Sequence, residues 1–165
     1  MVASNARTIA YGLFPVDVAE EGLSAELQRM SERMRKLYKT DCVFVSHADD
    51  RVHDNVTATH LYHIAQEAVT NAIKHASPRT IKIALWGGDP GKLQVSNDNN
   101  QKTEGQGAEP RASEGKGSGL RIMRHRADII KAKLSIQHAE DGSKVTCIFP
   151  NRMNADAAST TQNEP

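Results

Sequence analysis

The chain has 165 residues with 21 basic and 20 acidic side chains, a formal net charge of +1. That length suits one domain able to bury a real core, and the charge balance argues against a nucleic-acid or membrane-surface partner. No apolar run reaches the roughly 20 residues of a membrane span, and the first residues carry no signal-peptide core. Cys42 and Cys147 lie in strand-like apolar runs, DCVFVS and VTCIFP. That placement predicts buried free thiols and a reducing, cytoplasmic setting. A domain cut from a membrane-linked chain reads the same way.

Residues 1–17 have weak periodicity and read as a lead-in from an upstream region. From Ala19 to Lys39, Leu23, Leu27, Met30, Met34 and Leu37 recur at three- and four-residue steps, which predicts an amphipathic helix. CVFVSH predicts a strand. RVHDNVT predicts a loop in which Asn55 or Thr57 caps the following helix. That helix runs from about Ala58 to Ala76 and ends at Ser77, which precedes a proline. TIKIALWG puts Ile81, Ile83 and Leu85 on one strand face. GDPG is turn chemistry, and KLQVSN puts Leu93, Val95 and Asn97 on one face, so the two strands form a hairpin.

Residues 98–118 hold almost no hydrophobe, which suits a functional lid or a disordered loop. GLRIMRHRADIIKAK returns to helix with Leu120, Met123, Ala127 and Ile130 facing inward. KLSIQHA and VTCIFP, joined by an EDGSK turn, make a second hairpin. Residues 151–165 are polar and read as a disordered tail. The order predicts an α+β two-layer α/β sandwich, a mixed sheet covered by helices on one face, over residues 18–150.

Two stretches carry the chemistry. In HIAQEAVTNAIKHA, the residues Leu61, Ile64, Ala65, Ala68 and Ala72 share one helix face, with Ile73 at its edge. His63, Glu67, Thr70, Asn71 and Lys74 share the other. Alone, that polar face reads as a solvated one, and the His63–Glu67 pair has no third metal ligand in evidence. In GKGSGL, Gly115, Gly117 and Gly119 alternate at the opening of a helix. Glycines there let backbone approach a ligand closely, and free N–H groups at a helix start suit an anion. A flexible hinge has the same composition.

Together the two stretches resemble sensor histidine kinases. HIAQEAVTNAIKHA looks like their N box and GKGSGLRIMRHRA like their G2 box. GLFPVDVAEEGLSAEL and THLYHIAQEAVTNA resemble the subfamily allied to nitrate and desaturase sensors. The resemblance spans about residues 10–150 and implies the GHKL (Bergerat) ATP-binding fold, with ATP held between the N-box helix and a lid at about residues 98–118. It implies Asn71 as the Mg²⁺ ligand and Glu67 as the acid acting on the attacking group. Lys74 and His75 fall where phosphate-contacting side chains occur, and Gly115, Gly117 and Gly119, with Leu120 beside them, match the lid glycines. It implies ATP and Mg²⁺ as the ligands, and as partners a histidine-bearing dimerisation domain of the same kinase and, indirectly, a response regulator.

The sequence departs from that family in two ways. The family's G1 box places an aspartate, then glycines, at the end of the hairpin strand. Here VSNDNNQ puts Asn97 in the adenine position, and Asn99 and Gln101 in the glycine positions. A neutral amide forgoes a charge-assisted bond of about 1–2 kcal/mol. The expectation is weak ATP binding with poor discrimination against GTP, tightened by Asn97→Asp. None of the seven histidines sits in a phosphoacceptor context, so the chain reads as a fragment of a longer sensor. A degenerate nucleotide-binding or docking module and an anti-sigma-type serine kinase are the competing readings.

Overall fold

A computed structural model describes residues 18–47, 49–98 and 117–152. The expectations for the lead-in, for the polar stretch after Asp98 and for the tail beyond Arg152 lie outside the described residues. The elements are α1 (Val18–Tyr38), β1 (Asp41–His47), α2 (Asn55–Ala76), β2 (Thr80–Trp86), β3 (Gly91–Asp98), α3 (Ser118–Ile129), β4 (Lys133–Ala139) and β5 (Gly142–Phe149). They form one five-stranded sheet in the order β1-β2-β3-β5-β4. β1 and β2 run parallel and the remaining neighbours antiparallel. The sheet is therefore mixed, as expected. α2 packs between α1 and α3, and this helical layer covers one sheet face.

The core lies between the layers. Leu23, Leu27, Met30 and Met34 bury the inner stripe of α1, and Leu61, Ile64, Ala65, Ala68 and Ala72 that of α2, joined by Tyr62 and Val69. From the sheet, Phe44, Ile83, Val95, Val145 and Ile136 line up across all five strands. Period-two alternation puts them on the helix side. Leu37 departs from the expected stripe, at 42% exposure. It sits in the last turn of α1, and Lys39 (φ 54) turns the chain away into β1 immediately afterwards. Cys42 and Cys147 are free and buried, and burial pushes both thiols up to about 12.

Two boundaries differ from the sequence reading. α2 begins at Asn55, capped by neither Asn55 nor Thr57 but by Asp54, whose carboxylate accepts from Thr57 N and Thr57 Oγ1, both at 2.7 Å. Asp54 has the extended backbone that an N-cap needs (φ −108, ψ 124), and those bonds hold its carboxyl below the usual carboxylate range. β5 begins at Gly142, because pairing with β3 carries the ladder through Ser143 and Gly142. At Gly142 (φ 150) a side chain would run into the carbonyl oxygen of Asn97, so glycine is what lets these strands stay paired.

On the sheet face away from the helices, His47 stacks on Trp86 with ring centroids 4.3 Å apart, and Lys92 Nζ lies 3.7 Å from the Trp86 ring centre. At that end of the sheet, buried Asn151 ties three segments together. Its Oδ1 accepts from His53 N at 3.1 Å, its Nδ2 donates to Arg51 O at 2.8 Å, and its backbone N donates to Asp89 Oδ1 at 3.2 Å. Asn151→Ala would strip the partners of two backbone groups. The expected cost is about 1–3 kcal/mol, read as a lower urea midpoint with an unchanged m-value. An unchanged midpoint would remove this junction as a structural tie.

Candidate functional site

α2 buries one side in the core and turns its polar side toward α3. Thr70 leaves the site chemistry by bonding its own helix, Oγ1 donating to Gln66 O at 2.8 Å. His63 Nδ1 lies 3.3 Å from Gln66 Oε1. Glu67 and Asn71 are half-buried, and among the described residues neither side chain has a hydrogen-bond or ion-pair partner. Lys74 and His75 follow in the last, exposed turn of α2.

The start of α3 completes the cluster. Gly119 is buried, and a side chain on it would overlap Glu67 Oε1 and stand 3.1 Å from Asn71 Nδ2. Backbone therefore lies directly against both side chains. Gly117 is the N-cap residue (φ −70, ψ 109) and supplies no capping side chain; the turn is closed by Leu120 N donating to Gly117 O at 3.1 Å. α2 has its first N–H groups satisfied by Asp54, while α3 opens uncapped beside Glu67 and Asn71. Leu120 packs against the core and anchors this turn. Thus Glu67, Asn71 and Gly119 are brought together, with Gly117 and Leu120 in the same turn. Gly115, Asn99 and Gln101 lie outside the described residues.

One helical turn and more before Glu67, the α2–α3 contact is lined by basic groups. Arg126 Nη1 lies 3.4 Å from His60 Nδ1. Burial, and then the positive charge of Arg126, hold both His60 and His63 below the ordinary imidazole value. No three His, Cys, Asp or Glu side chains converge as metal ligands among the described residues. Glu67 and Asn71 nevertheless offer the hard oxygen donors that Mg²⁺ prefers when phosphates supply the rest.

Asn97, the last residue but one of β3, lies on the helix side of the sheet, opposite Ile81 on β2 and Ser143 on β5. Its Oδ1 accepts from Ser143 Oγ at 2.5 Å and its Nδ2 donates to Asp98 O at 2.9 Å. The Asp98 carboxylate is used elsewhere, accepting from Thr80 N at 3.0 Å. Ser143 escaped the sequence reading because it precedes the apolar run of β5. Its signal was the glycine before it, which marks where β5 meets the end of β3.

A mixed sheet under helices, with a carboxylate and an amide on one helix meeting a glycine at the start of another, defines a GHKL-type nucleotide-binding domain. Residues 56–153, more than half of the chain, match the family of histidine kinase-, DNA gyrase B- and HSP90-like ATPases, and the chain belongs to it. It is 32% identical over 97 residues to the sensor histidine kinase MctS of Rhizobium johnstonii, a stretch covering 58% of this chain and 20% of that protein. It is 40% identical over 57 residues to the sensor histidine kinase YdfH of Bacillus subtilis, covering 33% and 14%. The chain thus spans about a fifth or less of the length of these relatives. The fold is shared with the histidine kinase domain of the blue-light-activated kinase of Erythrobacter litoralis (TM-score 0.59, 22% identity, 78% of this chain and 65% of that one). It is shared too with the catalytic domain of the histidine kinase ThkA (TM-score 0.58, 22% identity, 78% and 91%).

The contact at Gly119 gives a direct test. Gly119→Ala would force apart α3 and the Glu67–Asn71 pair, and should cost about 1–3 kcal/mol of stability. Gly117→Ala, exposed and at an ordinary φ, should stay within about 0.5 kcal/mol. Equal urea midpoints for the two variants would mean that Gly119 does not touch the pair.

Proposed function

We propose that this chain is the ATP-binding catalytic domain of a sensor histidine kinase, allied to the nitrate and desaturase sensors. It binds Mg·ATP and transfers the γ-phosphoryl group to a histidine on a dimerisation domain outside this sequence, from which a response regulator is phosphorylated. The observation that carries this reading is the meeting of Glu67 and Asn71 on α2 with Gly119 on α3, about fifty residues further along the chain. Both relatives described above are sensor histidine kinases, which supports the choice within the family. Two buried free thiols suit a cytoplasmic setting.

Each residue then has a task. The Asn71 carbonyl oxygen would hold Mg²⁺, whose charge, when bound, offsets that of the phosphates. The uncapped start of α3 would hold phosphate oxygens on its N–H groups, reached closely because Gly119 has no side chain. Lys74 and His75 would meet phosphate from the end of α2. Glu67 would orient the attacking imidazole and take its proton. Phosphoryl transfer asks chiefly for positioning and charge neutralisation, which this arrangement of fixed helices can supply. A second reading, a docking module without transferase activity, is favoured by one observation: the neutral Asn97 where the family carries a carboxylate.

Calorimetry with a non-hydrolysable ATP analogue separates the roles. Asn71→Ala should weaken binding about tenfold or more with Mg²⁺ present and change it little in EDTA. Equal losses in both conditions would point to helix damage instead. Glu67→Gln in the full-length kinase should leave analogue binding near wild type and slow autophosphorylation by about 100-fold or more. If that variant binds no analogue, Glu67 is a binding residue and not the general base.

A further inference from the structure

Two polar contacts seat α3 on α2. At the start of α3, Gly119 lies against Glu67 and Asn71. Two turns on, about 10 Å along the axis, Arg126 Nη1 lies 3.4 Å from His60 Nδ1. The helices run antiparallel, so this second contact falls toward the start of α2. Met123, midway between the two, is buried, and so is Ala127. A guanidinium has only donors, so His60 Nδ1 must accept. His60 is therefore neutral, with its proton on Nε2. Protonation would place a hydrogen on Nδ1 and a second positive charge beside the guanidinium, which turns the bond into a repulsion.

The surroundings of His60 do nothing to relieve that charge. Arg126 and His125 bring positive charge from α3, and His63 follows one turn on along α2. His63 meets the Gln66 amide and the edge of Tyr62, whose hydroxyl is taken by Arg33 of α1 at 3.2 Å. The carboxylates that flank His60 along the chain are Asp54, engaged by Thr57, and Glu67, two turns away. Asp128, the one acid of α3, is exposed and stands two residues from Arg126, so the two side chains do not face each other.

We propose that His60 and Arg126 are positioning residues for the nucleotide site, a proton-sensitive latch that holds α3 on α2 while His60 is neutral and lets it loosen in mild acid. The start of α3 brings Gly119 and free N–H groups to the phosphates, so loosening lowers the affinity for Mg·ATP. That consequence rests on the ATP-binding reading above; the latch itself rests on the Arg126–His60 contact. Burial and then Arg126 hold His60 below the ordinary imidazole value, so folding favours the neutral ring. The latch is fully formed above about pH 6.5 and is lost as the pH falls from there through the lower folded value.

The test compares about pH 7.5 with about pH 5.5, one unit either side of the ordinary imidazole value. Without nucleotide, long-range ¹H–¹⁵N NMR spectra of the wild type should show the His60 proton on Nε2 at the higher pH. Its titration midpoint should move upward in Arg126→Leu. Between the two pH values the urea midpoint should fall more in wild type than in His60→Asn, whose Oδ1 offers an acceptor that does not protonate. With nucleotide, calorimetry with Mg²⁺ and a non-hydrolysable ATP analogue should show wild type and His60→Asn alike at the higher pH. At the lower pH wild type should lose about fivefold more affinity, the low end of ordinary coupling between sites. A His60 proton on Nδ1 at the higher pH, read on wild type whatever the variants do, overturns the latch. So do equal falls in urea midpoint. A latch present in both nucleotide-free measurements but with equal falls in affinity overturns its hold on the site. Protein that binds no analogue at either pH overturns the ATP-binding reading and the positioning role, while the proton position and urea midpoints still decide the latch.

Discussion

At Gly119 the backbone of α3 reaches the side chains of Glu67 and Asn71, and the rest of the site depends on that approach. A methyl group there would fill the space in which a carboxylate, an amide and a helix start now meet. The constraint runs backward into the core as well. α2 can offer Glu67 and Asn71 only because its opposite face, from Leu61 to Ala72, is buried against sheet and α1. The start of α3 stays in place because Leu120, Met123 and Ala127 seat the helix on the same core. Site and core are two sides of one pair of helices, so a change in packing on one side reaches the other.

The end of the fold that holds Asn97 rests on strand register instead of helix contact. Asn97, Ser143 and Gly142 come together because β3 and β5 pair antiparallel up to their ends. A neutral residue replaces the family's carboxylate, yet it is not a loose replacement, since both polar ends of its side chain are bonded. The same row separates Asn97 from Asp98. Neighbouring residues on a strand face opposite ways, and the Asp98 carboxylate goes to Thr80 N.

What was legible in the sequence was whatever repeats. The stripes of α1, α2 and α3 and the alternation of β2 and β3 announce their inward faces by period, and Glu67 and Asn71 share a face by the same arithmetic. The α2 start was less so: the sequence reading took Asn55 or Thr57 as the cap and passed over Asp54, which its extended backbone and its bonds to Thr57 identify. Leu37 fits its stripe but lies where the helix outruns its cover. The start of β5 was hidden because glycine and serine carry little strand signal, and long-range pairing with β3 overrides local preference. The approach of Gly119 to α2 is a tertiary contact between segments some fifty residues apart; the glycine was visible, the partner it faces was not.

Trp86 is the one tryptophan in the chain. Its ring lies between the His47 imidazole and the Lys92 ammonium, on strands β1 and β3 and on the sheet face away from the helices. Its emission therefore reports a single environment, built from three strands and removed from the helix-side residues that would meet nucleotide. Unfolding takes away both neighbours at once, so fluorescence follows the pairing of β1, β2 and β3 as one event. The same placement makes the indole a quiet bystander to events between α2 and α3. The protein thus carries a native optical gauge of its sheet, on the face opposite the helices that hold Glu67, Asn71 and Gly119.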